Sequence, residues 1–181
     1  MKVAILGSGA TGSAFAAYMK LGGIDDIWLI DLNRAHMDAV RDHGLIFKDH
    51  NGERVVTGFH TAYTAEEVGL CDILIVLVKS THTRSAMQGA MCCIGENTVV
   101  ISLQNGLGND LALSEFVPMG RIGCGCGRMG TELPGPGRCV AKPSLGISNM
   151  FLGPIERTDL SAAACKYIVD AFAKGGLAPE Y

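Results

Sequence analysis

Lys2-Val3-Ala4-Ile5-Leu6-Gly7-Ser8-Gly9-Ala10-Thr11-Gly12 opens the chain and decides its fold class. Val3 to Leu6 is an unbroken apolar run, the pattern of a short strand covered on both faces rather than on one. Gly7 closes it. Over 11–21 the spacing turns helical, with Ala14, Phe15, Ala17, Tyr18 and Leu21 on the apolar side and Gly22-Gly23 as the stop. A buried strand, a glycine-rich turn and a helix make the first half of a βαβ unit.

The same alternation continues downstream. Ile27-Trp28-Leu29-Ile30 is a second buried strand ending at Asp31, and Asn33 is the expected cap of a helix to about Arg41. Asn51-Gly52, between Gly44–Phe47 and Arg54–Val56, predicts a hairpin with a type I′ turn. Thr64-Ala65-Glu66-Glu67 fits a capping box. Strands are expected at Ile73–Val78 and Thr98–Ser102 with a helix at 81–92 between them. Beyond lie a short helix near 109–116, a Gly/Cys-rich strand near 121–127, a loop at Pro134-Gly135-Pro136-Gly137, strands near 138–141 and 147–152, and a helix near 159–174. The expected fold is α/β: a Rossmann-type, doubly wound, mainly parallel sheet with antiparallel edge strands.

Gly7-Ser8-Gly9-Ala10-Thr11-Gly12 also fits G-x-G-x-x-G in the context that gives the pattern meaning, directly after a strand and at the start of a helix. There the helix N-terminus offers free N–H groups to a dinucleotide pyrophosphate. The alternative is a tight turn that holds no ligand. Asp31 stands where an acid would accept hydrogen bonds from the adenosine ribose and repel a 2′-phosphate, favouring NADH. The plain alternative is a strand-end cap, and Arg34 could offer a cation to such a phosphate. No Gly-Lys-Ser/Thr follows the loop, which excludes a P-loop.

Composition narrows the classes further. The chain has 181 residues, the length of one domain, and is 48% hydrophobic and 18% charged, which excludes disorder. A net charge of −3 gives no footprint for nucleic acid or an anionic membrane. The first apolar run is too short for a signal peptide, and no run approaches a membrane span. Seven irregularly spaced cysteines without a secretion signal read as free thiols in a reduced, cytoplasmic protein. Cys124-Gly125-Cys126 lacks the spacing of a metal site, and none is expected. Glycine stands out at 24 residues, against about 7% in an average protein.

Ligands of open α/β sheets collect at the carboxyl ends of strands, and two of those ends carry unusual polar residues. Lys79 follows Ile73–Val78, and Gln104-Asn105-Gly106-Leu107-Gly108 follows Val99–Ser102. A lysine there reaches a ribose hydroxyl or a carboxylate, and an asparagine both donates and accepts. A solvated lysine and an Asn-Gly turn are the plain alternatives.

With the glycine loop, Val78-Lys79, the 104–108 segment and the Gly135-Pro136-Gly137-Arg138 turn, the chain resembles the ketopantoate reductase (2-dehydropantoate 2-reductase) family. The resemblance implies NAD(P)H-dependent reduction of a 2-keto acid, with NADPH as the family's habit. It puts cofactor binding on Gly7, Ser8, Gly9, Ala10, Thr11, Gly12 and Asp31, and cofactor and substrate positioning on Lys79 and Asn105, with a further backbone contact near Met129. Asp31 departs from the basic residue many members carry, which keeps the NAD-dependent D-2-hydroxyacid (D-mandelate-type) branch open. The family's general-acid lysine belongs to a helical second domain, and Lys142, Lys166 and Lys174 are not assigned to that role. Residues 1–176 then form the dinucleotide-binding domain and 177–181 the start of the junction. A homodimer of the full-length protein and a non-catalytic nucleotide-binding module remain open. His82 is the one histidine near enough to approach the site, Arg84 and Arg128 could pair with a carboxylate, and Met87, Met91, Cys92 and Cys93 are expected to pack a helix face.

Overall fold

A computed structural model describes residues 1–181. Parallel strands β1 (Val3–Leu6), β2 (Ile27–Ile30), β5 (His60–Ala62), β6 (Cys71–Val76), β7 (Ile94–Ser102) and β8 (Ile122–Gly127) lie in the order β8-β7-β6-β1-β2-β5. The chain runs outward from β1 to β5, then crosses back to β6 on the other side of β1. That reversal opens a crevice at the carboxyl ends of β1 and β6, where open α/β sheets take their ligands. Strand β11 (Met150–Pro154) joins β8 antiparallel, and β12 (Pro179–Glu180) pairs with β11 as Met150↔Pro179 and Phe151↔Glu180.

Alternate residues of the central strands feed two cores, as the period of a strand requires. Val3, Ile5, Ile73, Ile75, Val99 and Ile101 enter the larger one. Ala4, Leu6, Leu74, Val76 and Val100 enter the smaller one on the opposite face. Helix α1 (Ala10–Leu21) is buried from Gly12 through Met19 because it is covered on several sides. Phe15 meets Phe172 of α5 (Asp159–Gly175) edge-on at 5.3 Å, and Tyr18 meets Phe47 at 5.0 Å. Asn33, the expected cap, accepts from the His36 N–H at the start of α2 (Arg34–His43), and Thr158 accepts from the Ser161 N–H at the start of α5. The Thr64–Glu67 capping box is present, on a single 3₁₀ turn.

Several expectations are corrected. Strands β3 (Leu45–Asp49), β4 (Gly52–Val56), β9 (Met129–Gly135) and β10 (Arg138–Pro143) form a second sheet, β4-β3-β10-β9, that the sequence does not announce, while β11 is the expected antiparallel edge strand of the first. Strand β9 has no apolar run to announce it; it is an outer strand, where Pro134 is tolerated. The hairpin turn is His50-Asn51, closed by Asp49↔Gly52. Only Gly52, at φ +105, has positive φ, so the turn is not type I′. The Asp49 carboxylate shapes it, accepting the Asn51 N–H at 2.8 Å and both Arg54 NH groups at 2.8–2.9 Å. The helix expected at 81–92 is broken into a 3₁₀ turn at Ser80–His82, α3 (Thr83–Gly89) and a 3₁₀ turn at Met91–Cys93. Met87 and Cys93 are buried there, but Met91 and Cys92 are exposed. At the expected junction, Leu177 is buried and Pro179–Glu180 pair with β11 as β12.

Candidate cofactor and substrate site

The glycine loop is built by close approach. At Gly7, with φ +97, a Cβ would lie 2.7 Å from the Val78 nitrogen, and at Gly12 it would run into the Gly7 carbonyl oxygen. Gly9, which precedes the first turn of α1, has nothing within 4 Å of a Cβ. The loop thus leaves room at Gly9 for a ligand's backbone approach, at the positive end of α1. The first α1 N–H to be used inside the helix is that of Ser13, which bonds the Gly9 carbonyl, so the N–H groups of Ala10, Thr11 and Gly12 precede the helical ladder.

Ser8 plays a different part from its neighbours. Its N–H, like that of Gly7, bonds the Ile30 carbonyl, its hydroxyl bonds the Ile5 carbonyl at 3.1 Å, and it is fully buried. It braces the loop and keeps no donor for a ligand. Behind it, Ser13 donates to the Ser8 carbonyl at 2.9 Å, and the buried ring of His36 lies 2.9 Å from Ser13 Oγ through Nε2. His36 Nδ1 accepts the Gly137 N–H at 2.9 Å, so Nε2 carries the proton and donates to Ser13. Burial holds the His36 pKa below its ordinary value, against a smaller opposing pull from Asp31. Nothing in the sequence distinguishes His36 from the other helical histidines; its role depends on a turn 101 positions away.

Two clefts flank the loop, with Val78 bordering both. One, of about 580 Å³, lies over the ends of β1 and β2 and is lined by Gly7, Ile30, Asp31, Leu32, Ala65 and Ala86, among others. Asp31 Oδ1 accepts the Asn33 N–H at 2.9 Å, so the strand-end cap and the place in the cleft coexist. Arg34 lies over the Tyr63 ring at 4.2 Å, and Tyr63 also borders this cleft. His82 lines this cleft too, not the one that holds Lys79.

The second cleft, of about 470 Å³, brings together Thr11, Lys79, Leu103, Gln104, Asn105 and Met129. Lys79 and Asn105, separated in sequence by a helix and a strand, thus border one space beside the start of α1. Both are exposed. Thr11 Oγ1 sits 2.9 Å from Thr131 Oγ1, which pins the second sheet against the loop. Arg84 is committed to Glu115, with contacts of 2.6–3.0 Å, and Arg128 is exposed outside both clefts. Lys142 pairs with Glu132 and Lys166 with Asp170. Lys79 is the one lysine lining either cleft.

Residues 3–156 match the family Ketopantoate reductase PanE/ApbA. The chain belongs to that family. It is 26% identical over its whole length to the 2-dehydropantoate 2-reductase of Lactococcus lactis subsp. lactis, covering 56% of that protein. Against the 2-dehydropantoate 2-reductase of Halobacterium salinarum the figures are 32% over 76% of this chain and 45% of the relative. Among solved structures, a PanE/ApbA family ketopantoate reductase from Ralstonia eutropha superposes with a TM-score of 0.82 at 26% identity, over 99% of this chain and 56% of the other. D-mandelate dehydrogenase, in a ternary structure with NADH and anilino(oxo)acetate, gives 0.80 at 28%, over 99% and 56%. The chain therefore spans about half the length of the curated relatives it matches. Its place in the family fits the loop, the strand order and the two clefts.

Proposed function

We propose that this chain is the cofactor-binding half of an NAD(P)H-dependent 2-keto-acid reductase that converts ketopantoate to pantoate in the cytoplasm, within pantothenate synthesis. The convergence of Lys79 and Asn105 on one cleft beside the glycine loop carries this reading. The α1 N-terminus, with room at Gly9, suits a pyrophosphate. The apolar surfaces of Ile30, Leu32, Ala65 and Ala86 suit an adenine ring, and Asp31 at the β2 end suits a ribose hydroxyl. When bound, the cofactor supplies the hydride for the ketone carbon. Lys79 offers a cation to the substrate's carboxylate, and Asn105 offers an amide N–H to its carbonyl oxygen while its own oxygen can accept from the cofactor. The proton for the resulting alkoxide comes from a general acid outside residues 1–181. A cytoplasmic setting accords with seven cysteines that are all free thiols; no helix is long and apolar enough to cross a membrane.

A second reading, an NAD-dependent D-2-hydroxyacid dehydrogenase, is favoured by one residue. A carboxylate at Asp31 repels the 2′-phosphate that distinguishes NADPH. Fluorescence titration of the chain with both cofactors tests the preference: tighter binding of NADH is expected, and a clear NADPH preference would overturn the role given to Asp31. Assay of the full-length gene product against ketopantoate and against aromatic and branched 2-keto acids separates the two substrates.

A further inference from the structure

The most fully engaged polar side chain near the clefts belongs to neither the glycine loop nor the Lys79/Asn105 pair. Gln104 is 6% exposed and lines the 470 Å³ cleft. Its Nε2 donates to the Val78 carbonyl at 2.7 Å and to Thr83 Oγ1 at 2.8 Å, and its Oε1 accepts from Ser102 Oγ at 3.1 Å. Both amide hydrogens and the carbonyl oxygen are thus in use. Thr83 and Ser102 are themselves buried, at 1% and 2% exposure.

These bonds tie together the end of β7, the turn after β6 and the first residue of α3. The Val78 carbonyl belongs to the peptide that leads into Lys79, and Asn105 is the residue after Gln104. We propose that Gln104 is the positioning residue that sets the distance between Lys79 and Asn105 across the cleft. The proposal rests on the reading of that cleft as the nicotinamide and substrate side. An apolar side chain of similar length would fill the same volume but hold neither strand end, and a buried amide earns its desolvation only when every partner is met. Asparagine is one methylene too short to span the same partners. Glutamate has the length but offers an acceptor where the Val78 carbonyl needs a donor.

The test compares the 181-residue chain with Gln104→Met and Gln104→Glu, titrated with NADH by fluorescence and with ADP-ribose by calorimetry. ADP-ribose carries the adenosine, the pyrophosphate and the second ribose but no nicotinamide, so most of its contacts fall on the glycine loop and on the cleft that Gln104 does not line. Both variants are expected to weaken NADH by about tenfold and to lose the fluorescence change of bound NADH. ADP-ribose affinity should stay within about twofold, a split that a general loss of structure would not produce. If Gln104→Met fails to fold, Thr83→Val removes one partner of the amide and should weaken NADH alone, by about threefold. NADH binding unchanged in a folded variant, or NADH and ADP-ribose weakened in parallel, would overturn the inference. Failure of the unsubstituted chain to bind NADH would instead overturn the reading of the cleft itself, and this inference with it.

Discussion

Gly9 and Gly12 stand three positions apart in one loop and face opposite surroundings. A Cβ at Gly12 collides with the Gly7 carbonyl, whereas one at Gly9 meets only open space. The two alanine substitutions should therefore separate folding from binding. Gly12→Ala is expected to lower the melting temperature, because the obstacle is backbone and cannot swing aside. Gly9→Ala should leave the melting temperature nearly unchanged but weaken NADH by about tenfold, the cost of a methyl group where a pyrophosphate must approach. Thermal melts and cofactor titrations of both variants check this. The spacing of the three glycines is plain in the sequence, and so is Asp31 at the strand end. That Ser8 is turned wholly inward is not, since a serine in a G-x-G-x-x-G loop reads the same whether its hydroxyl meets a ligand or the Ile5 carbonyl.

Where elements meet, His36 is the joint. Its ring links α2 to α1 through Ser13, whose hydroxyl in turn donates to the Ser8 carbonyl of the glycine loop, and to the β9–β10 turn through the Gly137 N–H. The Gly137 bond requires a neutral ring, because a proton on Nδ1 would remove the lone pair that accepts the Gly137 N–H. Because burial lowers the folded-state pKa, the unfolded chain binds this proton more readily. The stability His36 contributes is present above the unfolded value of about 6.5 and is lost as pH falls below it. Chemical denaturation at pH 7.5 and at pH 5.5 is expected to give a less stable protein at the lower pH. His36→Gln, which can still accept from Gly137 and donate to Ser13 but cannot titrate, should flatten that difference. An unaltered pH dependence in His36→Gln would assign the effect to other groups.

Over the whole molecule, the last residues complete the sheet. Leu177 is buried in the larger core, Asn149 Oδ1 accepts the Ala178 N–H at 2.8 Å, and the Asn149 N–H bonds the Ala178 carbonyl at 3.0 Å. Ending the chain after Gly176 removes these bonds, unpairs the edge of β11 and exposes the apolar surface that Leu177 covers. Burial of one leucine is worth about 1.5–3 kcal/mol, and the shortened chain should be destabilised by at least that range in urea titrations. Unchanged stability would show that β12 adds nothing to the sheet.

The central architecture was legible in the sequence because its signals are local. Unbroken apolar runs at Val3–Leu6, Ile27–Ile30, Ile73–Val76 and Val99–Ile101 can be satisfied only by strands covered on both faces, and the glycine spacing can be read within six residues. The carboxyl ends of those strands, and so the positions of Asp31, Lys79 and Asn105, follow from the same runs. Tertiary structure alone decided that the 45–56 hairpin pairs with 138–143 in a sheet of its own, that Thr11 meets Thr131 across 120 positions, and that His36 and Gln104 are joints rather than bystanders. Such pairings join polar or weakly patterned segments whose partners are distant in the chain. Their free energy comes from geometry that exists only after the apolar core has brought them together.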